Sequence, residues 1–376
     1  MPENAMTAPL FSALARSLPA TIPFVGPEAL ERRTGVAFKA RLGANESVFG
    51  PSPKVVAAMA AAAAESWAYG DPEQFALKAA LASHHGLKPE NITVGEGIDG
   101  LLGHLVHLAT EAGDSVLTSR GAYPTFNYHV AGRGAVLDTV PYRDERPAIF
   151  EDIDALLERA RETRPKLLYF ANPDNPTGSF HAASEIERLI RETPEETILV
   201  LDEAYGDMAP EGVLPPVDLI RPNLVRFRTF SKAYGMAGVR VGYAFGDPGS
   251  IGQFDKVRNH FGVSRMAQAG AVAALGDQEF LRATVAGIAA ARTRLSGIAS
   301  AAGLQPLPSA TNFVAIDCGR DAAHARAILA EILKEGVFIR MPGIAPLDRM
   351  IRVSVGREAD MVLFEAALHV ALQRVG

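Results

Sequence analysis

Short runs of apolar residues alternate with helically spaced apolar residues through the middle of the chain, from about position 91 to 245. The runs predict strands at 91–94, 115–118, 135–138, 166–171, 197–202, 224–227 and 239–245. Helical spacing predicts a helix through Leu101, Leu102, Leu105 and Leu108, and further helices at 153–161 and 184–191. Strands that are apolar throughout are expected in a sheet that helices cover on both faces. The pattern therefore predicts an α/β domain with a mostly parallel central sheet.

The segments on either side of this region are mainly helical. Helices are predicted at 54–66, 73–84, 264–275, 280–302, 322–334 and 358–374, and strands at 312–316, 337–340 and 350–354. Residues 1–30 have little periodicity and predict an extended arm with one short helix. We therefore expect an arm at 1–45 that packs with a small domain, a large α/β domain at 46–260, and that smaller α+β domain at 261–376.

Composition and charge narrow the possible partners. A chain of 376 residues, 48% hydrophobic and 21% charged, is typical of a globular protein with one large and one smaller domain. The net charge is −6 and no basic block stands out, so neither nucleic acid nor a membrane surface is an expected partner. No apolar run reaches the ~18 residues of a membrane helix and we see no secretory signal, so we expect a cytoplasmic protein. The single cysteine and nine scattered histidines predict neither a disulfide nor a metal site.

The strongest candidate for chemistry is Lys232, at the centre of the stretch RTFSKAYGMAGVR at positions 228–240. A lysine in a cationic or desolvated site can be unprotonated and can form a Schiff base with an aldehyde. The hydroxyls of Thr229 and Ser231 and the forked guanidinium of Arg240 suit a phosphate. A lone Ser-Lys pair is usually part of a solvated loop, but this longer phrase is far more specific. It predicts a lysine that holds pyridoxal phosphate covalently.

Other strand ends carry residues that fit the same ligand. In open α/β sheets ligands bind at the carboxyl ends of the strands. Asn175 lies in a turn-rich loop after one predicted strand, and Asp202 ends the next, with Tyr205 three positions later. The Gly-Glu-Gly segment at 95–97 follows the first strand, where backbone N–H groups at a helix start can face an anion. Each feature alone is more often a cap or a turn, but their combination at strand ends favours one ligand site.

These motifs resemble those of the class I/II aminotransferases, the pyridoxal-phosphate-dependent transferases of fold type I. The matching motifs are NPDNPTG at 172–178, LDEAY at 201–205, and TFSK at 229–232 with the arginine at 240. Within that family the chain is most similar to the histidinol-phosphate aminotransferase branch, through shorter matches at 44–46, 69–72, 124–126, 311–313 and 351–356. The resemblance covers about residues 40–370. It implies a transaminase that moves an amino group, with glutamate as the expected donor, to a 2-oxo acid or imidazole-acetol phosphate.

The resemblance also implies a role for each site residue. Lys232 forms the internal aldimine and then moves the proton between the substrate Cα and the cofactor. Asp202 pairs with the pyridine nitrogen, while Tyr205 and Asn175 hydrogen-bond the phenolic oxygen. Phe126 stacks on the ring. The phosphate is held by Thr229, Ser231, Arg240, the backbone N–H groups of Glu96 and Gly97, and Tyr69 of a neighbouring subunit, which makes a homodimer the functional unit.

The substrate contacts implied by the resemblance are two arginines and one asparagine. Arg352 forks onto an α-carboxylate or onto the phosphate of histidinol phosphate. Arg340 is a second anion contact, and Asn45 lines the pocket. The chain departs from the branch near the substrate: position 126 is Phe instead of Tyr, Gly-Glu-Gly-Ile replaces Gly-Ser/Ala-Asp-Glu, and Gly43 replaces a polar residue.

Three alternatives to a histidinol-phosphate aminotransferase stay open from the sequence. An aromatic or arogenate-type amino-acid aminotransferase needs the same cofactor residues and the same arginine. A pyridoxal-phosphate-dependent amino-acid decarboxylase shares the cofactor site and differs in which Cα bond is broken. A non-catalytic regulator requires a DNA-binding domain before the match, and the ~40 preceding residues contain no basic recognition helix.

Overall fold

The structure is a computed structural model that describes residues 10–19 and 25–376. The helices are α1 Ala13–Ser17, α2 Pro27–Thr34, α3 Pro53–Ala63, α4 Phe75–His85, α5 Ile98–Ala109, α6 Pro124–Arg133, α7 Ile153–Thr163, α8 Ala183–Glu192, α9 Pro248–Ile251, α10 Arg265–Leu275, α11 Gln278–Ala301, α12 Ala322–Lys334 and α13 Glu358–Val375. The strands are β1 Ala40–Arg41, β2 Ile92–Gly95, β3 Ser115–Ser119, β4 Val136–Val140, β5 Arg143–Glu145, β6 Ala148–Phe150, β7 Leu167–Ala171, β8 Ile198–Asp202, β9 Leu224–Thr229, β10 Gly242–Gly246, β11 Gln305–Pro306, β12 Phe313–Asp317, β13 Val337–Phe338 and β14 Met350–Ser354.

A seven-stranded sheet in the order β2-β10-β9-β8-β7-β3-β4 forms the centre of the large domain. Strand β10 is antiparallel to both of its neighbours, and the other pairs in the sheet are parallel. Strands β7 and β9 are buried at every position, as expected in a sheet covered on both faces, although β9 carries Arg226 and Arg228. The predicted α/β fold is confirmed. Parallel pairing places the carboxyl ends of β7, β8 and β9 side by side.

A smaller antiparallel sheet, β11-β12-β14, lies in the C-terminal part of the chain. Its buried residues pack with those of α11, α12 and α13. The short strand β1 pairs in parallel with β13, so residues near position 40 join this part of the protein. Helix α10, which follows the boundary expected at 260/261, packs on α3 and α4 and shares buried contacts with strands of the large sheet. The long helix α11 then contributes to both cores, with Ile288 in one and Leu295 in the other.

Other departures from the predicted elements are local. Helix α6 and the hairpin β5–β6 were not predicted. The strand expected from 239 begins only at Gly242, because Arg240 has a left-handed backbone (φ +58°) after a short 3₁₀ turn. Of residues 1–30, the described part contains α1 and the start of α2, and the rest lies outside the described residues. Among the described residues, no helix is long and apolar enough to cross a membrane.

Candidate functional site

Two cavities meet at the carboxyl edge of the large sheet. The inner cavity, of about 220 Å³, is lined by Asp202, Tyr205, Thr229, Ser231 and Arg240 among others. The outer cavity, of about 810 Å³, extends toward the smaller domain and is lined by Asn45, Arg340 and Arg352 among others. Lys232, Asn175 and Tyr123 line both cavities. A ligand that fills the inner cavity can therefore be reached by a second molecule from the outer one.

Lys232 lies just beyond the end of β9, at the junction of the two cavities. Its Nζ donates a hydrogen bond to the backbone oxygen of Asn45 at 3.1 Å and lies 5.5 Å from the centre of the Tyr205 ring. Burial, reinforced by the positive charge of Arg352, lowers the pKa of Lys232 to about 8. A substantial fraction of the amine is then neutral near physiological pH, as a nucleophile toward an aldehyde must be.

Asp202 is the last residue of β8, and its carboxylate lines the inner cavity. Each of the two carboxylate oxygens accepts a hydrogen bond. The Tyr169 hydroxyl donates to Oδ2 at 2.6 Å, and the Ala204 N–H donates to Oδ1 at 2.9 Å. Burial raises the pKa of Asp202 to about 6, while these two hydrogen bonds favour the ionised form. A cationic ring nitrogen in the cavity would favour ionisation further.

Tyr205 and Asn175 are oriented by residues from the N-terminal segment and the smaller domain. The Nδ2 of Asn45 donates to the Tyr205 hydroxyl at 2.9 Å, so the hydroxyl keeps its own proton for a ligand. The Oδ1 of Asn175 accepts from Nη1 of Arg352 at 2.5 Å, which leaves its Nδ2 as the donor. Asn45 is itself fixed by Ser354, which binds both its backbone N–H and its side-chain oxygen.

The other end of the inner cavity is a cluster of hydroxyl and cationic groups. Thr229 donates to the Ser231 hydroxyl at 2.9 Å and accepts from the Ser231 N–H at 3.1 Å. Arg240 extends along the same wall, with Nη1 3.5 Å from Ser231 Oγ. Its guanidinium packs on Gly97, where a Cβ atom would lie 2.4 Å from Nη2. Only glycine leaves this space, and the positive φ of +81° also favours glycine.

The helix start at this end is displaced by two residues from the predicted anion contacts. The N–H of Gly97 donates to the Gly95 oxygen at 2.8 Å. Helix α5 begins at Ile98, and it is Ile98 and Asp99 that line the inner cavity. The first N–H groups of a helix have no intrahelical partner. Ile98 and Asp99 therefore border the inner cavity at the start of α5, and the predicted phosphate contacts of the Glu96 and Gly97 N–H groups stay a prediction.

The expected stacking residue, Phe126, does not reach the cavity. Its ring is fully buried and stacks on Tyr169, with centroids 4.4 Å apart and an interplanar angle of 21°. The aromatic residues that line the inner cavity include Tyr123, Tyr169 and Tyr205, and the Tyr123 hydroxyl donates to Asp99 at 2.8 Å. Pro124 starts α6 and leaves Tyr123 outside the helix, whereas Phe126 in the first turn points into the core.

Two arginines form the polar part of the outer cavity. Arg340 and Arg352 exchange backbone hydrogen bonds across antiparallel segments, which places their side chains next to each other. Arg352 also donates to the Gly43 oxygen at 3.3 Å, and its buried Nε has no partner within the described part of the chain. Burial lowers the pKa of Arg352, yet an arginine stays cationic in proteins. The guanidinium of Arg352 is therefore suited to bind an anion.

Much of the remaining wall of the outer cavity is apolar. It is formed by residues within and just before α2, by α12 and by the segment 338–344: Val25, Leu30, Leu329, Leu333, Phe338, Met341 and Ile344. An apolar wall beside two cations suits an amphipathic ligand with one anionic end.

In the described part of the chain, Tyr69 lines neither the inner nor the outer cavity. Its side chain is 77% exposed, and its ring centre lies 4.7 Å from that of Phe261, with the two rings tilted by 35°. Trp67 and Phe75 are exposed on the same segment of the chain. Exposed aromatic residues of this kind are enriched at protein interfaces.

Comparisons with known proteins place the chain among aminotransferases. Residues 39–366 match the family model "Aminotransferase class I and II". The chain is 34% identical to histidinol-phosphate aminotransferase 2 of Carboxydothermus hydrogenoformans, covering 94% of this chain and 96% of that one. It is 36% identical to an aromatic amino acid aminotransferase of Mycolicibacterium paratuberculosis, over 83% and 90% of the two chains. The crystal structure of histidinol-phosphate aminotransferase from Sinorhizobium meliloti with pyridoxal-5'-phosphate is 52% identical, with a TM-score of 0.95 over 99% and 100% of the chains.

Proposed function

Because this chain belongs to the class I and II aminotransferases and is a pyridoxal-phosphate-dependent enzyme, we propose that Lys232 binds the cofactor covalently. The observation that carries the proposal is the position of its amine, at the junction of the inner and outer cavities. A lysine at this point can hold the cofactor on one side and meet a substrate on the other.

The residues of the inner cavity fit pyridoxal phosphate at both ends. The Thr229 and Ser231 hydroxyls, Arg240 and the start of α5 would hold the phosphate, and the missing Cβ of Gly97 lets Arg240 lie there. At the opposite end, the carboxylate of Asp202, held by the Tyr169 hydroxyl and the Ala204 N–H, would pair with the ring nitrogen. Tyr205 and Asn175 would donate to the phenolic oxygen, and Tyr123 is an aromatic side chain at the wall of the same cavity.

Each residue then has a defined task in transamination. When bound, the cofactor supplies a ring that accepts the electron pair of a broken substrate Cα–H bond. Asp202, ionised, keeps a proton on the ring nitrogen. Lys232 Nζ would take the proton from the substrate Cα and deliver it to the cofactor carbon two bonds away, on the other side of the nitrogen, and its lowered pKa leaves more of the amine neutral for this step than an ordinary lysine would have. Arg352 holds the substrate's anionic group, which fixes the Cα near Lys232.

We propose histidinol phosphate as the physiological amino donor or product, with glutamate and 2-oxoglutarate as the second pair. The proximity of Arg340 and Arg352 supports a phosphate, because two guanidinium groups can share its charge. A second candidate is an aromatic amino acid, supported by the apolar wall of the outer cavity. Arg352 would bind the carboxylate of that substrate.

We further propose that the active unit is a homodimer in which Tyr69 of one copy reaches the cofactor phosphate of the other. The exposure of Tyr69, Trp67 and Phe75 supports this proposal. Sedimentation of the purified holoenzyme tests it, and a monomer that retains full activity contradicts it.

The test of function is a half-reaction with the purified holoenzyme. Histidinol phosphate, phenylalanine, tyrosine, aspartate and glutamate are mixed with it one at a time, and the change from lysine-bound cofactor to pyridoxamine phosphate is followed by absorbance. We expect histidinol phosphate to react fastest, and Arg352→Gln to raise its half-saturating concentration about 10- to 150-fold, because one charge-assisted contact is lost. Arg374→Gln, an exposed arginine on α13, is the matched control.

The outcomes separate the alternatives. A preference for phenylalanine or tyrosine selects the aromatic candidate, and release of carbon dioxide without pyridoxamine phosphate selects a decarboxylase. Lys232→Ala should lose the absorbance band of lysine-bound cofactor. A wild-type protein that acquires no such band with pyridoxal phosphate refutes the proposal.

A further inference from the structure

We propose that Tyr169 is a positioning residue that fixes the carboxylate of Asp202 in the orientation needed to meet the ring nitrogen of the cofactor. The inference rests on the proposed function, since it takes Asp202 as the partner of that nitrogen. Sequence motifs give no indication of such a role, because Tyr169 lies within the apolar run of β7.

The arrangement leaves Asp202 little freedom to rotate. Each of its two carboxylate oxygens accepts from a different donor, Tyr169 on one side and the Ala204 N–H on the other. Rotation of the carboxylate breaks both hydrogen bonds at once. The pairing of β7 with β8 also fixes the distance between the side chains of Tyr169 and Asp202. Ala171 on β7 pairs with Asp202 on β8, and Tyr169, two positions before Ala171, points to the same face of the sheet.

The phenol is itself held rigidly. Tyr169 is fully buried, its ring stacks on Phe126, and its backbone oxygen accepts from Thr118 at 3.2 Å. The position of Phe126 is thereby explained: it supports Tyr169, which supports Asp202. A lysine or arginine in place of Tyr169 would compete for the charge of Asp202. A neutral hydroxyl stabilises the ionised carboxylate and leaves its negative charge for the ring nitrogen.

Tyr169→Phe tests the role, because it keeps the ring and its stacking and removes the one hydroxyl. We expect the holoenzyme variant to bind pyridoxal phosphate about 10- to 150-fold more weakly, the range of one hydrogen bond to a charged group. As the pH is lowered, the variant should begin to lose cofactor affinity at a higher pH than the wild type does. The reason is that Asp202 protonates more easily without its hydrogen-bond donor. kcat should fall while KM for the amino donor stays within about twofold, because the substrate contacts are untouched.

Tyr243→Phe is the matched control. Tyr243 is a buried phenol on β10 of the same sheet, and its hydroxyl hydrogen-bonds Nε2 of His85 at 2.7 Å. A merely structural effect of losing one buried hydroxyl should appear equally in this variant, as a similar fall in melting temperature. We expect its cofactor affinity and pH profile to stay at wild-type values.

A double-mutant cycle with Asp202→Asn decides whether Tyr169 acts through Asp202. We expect Asp202→Asn alone to weaken cofactor binding and activity, and Tyr169→Phe to add less than about twofold in that background. If Asp202→Asn has an effect and Tyr169→Phe matches Tyr243→Phe, the role of Tyr169 is refuted and the proposed function stands. If Asp202→Asn leaves cofactor affinity and activity unchanged, the assignment of Asp202 as the partner of the ring nitrogen is refuted, and the role of Tyr169 is refuted with it. Full additivity of the two substitutions also refutes the inference.

Discussion

Glu203, next to Asp202 in the chain, forms buried ion pairs whose contribution to the stability of the protein can be tested directly. Its carboxylate accepts from Nε and Nη2 of Arg226, at 3.0 and 2.7 Å, and from Nε of Arg228 at 2.8 Å. The side chains are 0%, 1% and 8% exposed, respectively. Since successive strand residues face opposite sides, this buried triad lies beneath the sheet while Asp202 and Thr229 face the cavity. The triad joins the ends of β8 and β9.

Glu203→Gln keeps the shape of the side chain and removes its charge. Two buried guanidinium groups then lose their counter-ion, and breaking a buried ion pair from one side costs about 3–5 kcal/mol. With an unfolding entropy of roughly 2.1 cal/mol/K per residue over a cooperative unit of about 220 residues, this lowers Tm by about 6–11 °C. An exposed pair behaves differently, because water screens it and its net contribution is about 0–1 kcal/mol.

The assay is thermal unfolding of wild type, Glu203→Gln and the control Glu185→Gln, all at saturating pyridoxal phosphate so that cofactor binding contributes equally. Glu185 forms an exposed pair with Arg188 on α8, and its replacement should change Tm by less than about 2 °C. A Glu203→Gln variant that melts within about 2 °C of the wild type would refute the reasoning.

The same triad predicts how the difference depends on pH. Burial opposes ionisation of Glu203, but Arg226 and Arg228 together hold its pKa below the usual value. The stabilisation is therefore fully present above the unfolded pKa of about 4.3 and is lost as the pH falls through the lower folded value. We expect the Tm difference between wild type and Glu203→Gln to be constant near neutral pH and to narrow in acid.

Two further predictions concern the cofactor. The apo-protein should take up pyridoxal phosphate covalently at a rate that rises with pH and levels off above about 8, because the pKa of Lys232 is lowered to about 8; a stopped-flow rate that still rises steeply at ~pH 9.5, as for an ordinary lysine, contradicts this. Gly97→Ala should weaken cofactor binding at least about tenfold, because its Cβ would lie 2.4 Å from Nη2 of Arg240. The control Gly113→Ala has a similar positive φ of +93° but no described atom within 4 Å of its Cβ position, so a loss of affinity as large in this variant would indicate backbone strain alone.

The sequence predicted the α/β sheet, the limits of most helices within a few residues, and the side chains that line the inner cavity at the ends of β7, β8 and β9. These follow from local information: continuous apolar runs specify covered strands, and polar residues directly after such runs meet at one edge of a parallel sheet. It did not predict α6, in which the tyrosine, asparagine and histidine residues between Pro124 and Arg133 weaken the apolar periodicity.

What the sequence by itself determined is the chemistry that is possible. It places an amine, a carboxylate and a cluster of hydroxyl and guanidinium groups at adjacent strand ends, and each is recognisable because it is encoded within a few consecutive residues. The tertiary structure decided which neighbours act on them. Ile98 and Asp99 line the cavity because the turn at Gly97 sets where α5 begins, and Tyr123 lies at the wall because Pro124 starts α6 after it. Tyr169 meets Asp202 through the register of β7 on β8, and Arg340 meets Arg352 across two segments twelve residues apart. Strand register and helix placement depend on long-range packing, which no local pattern specifies.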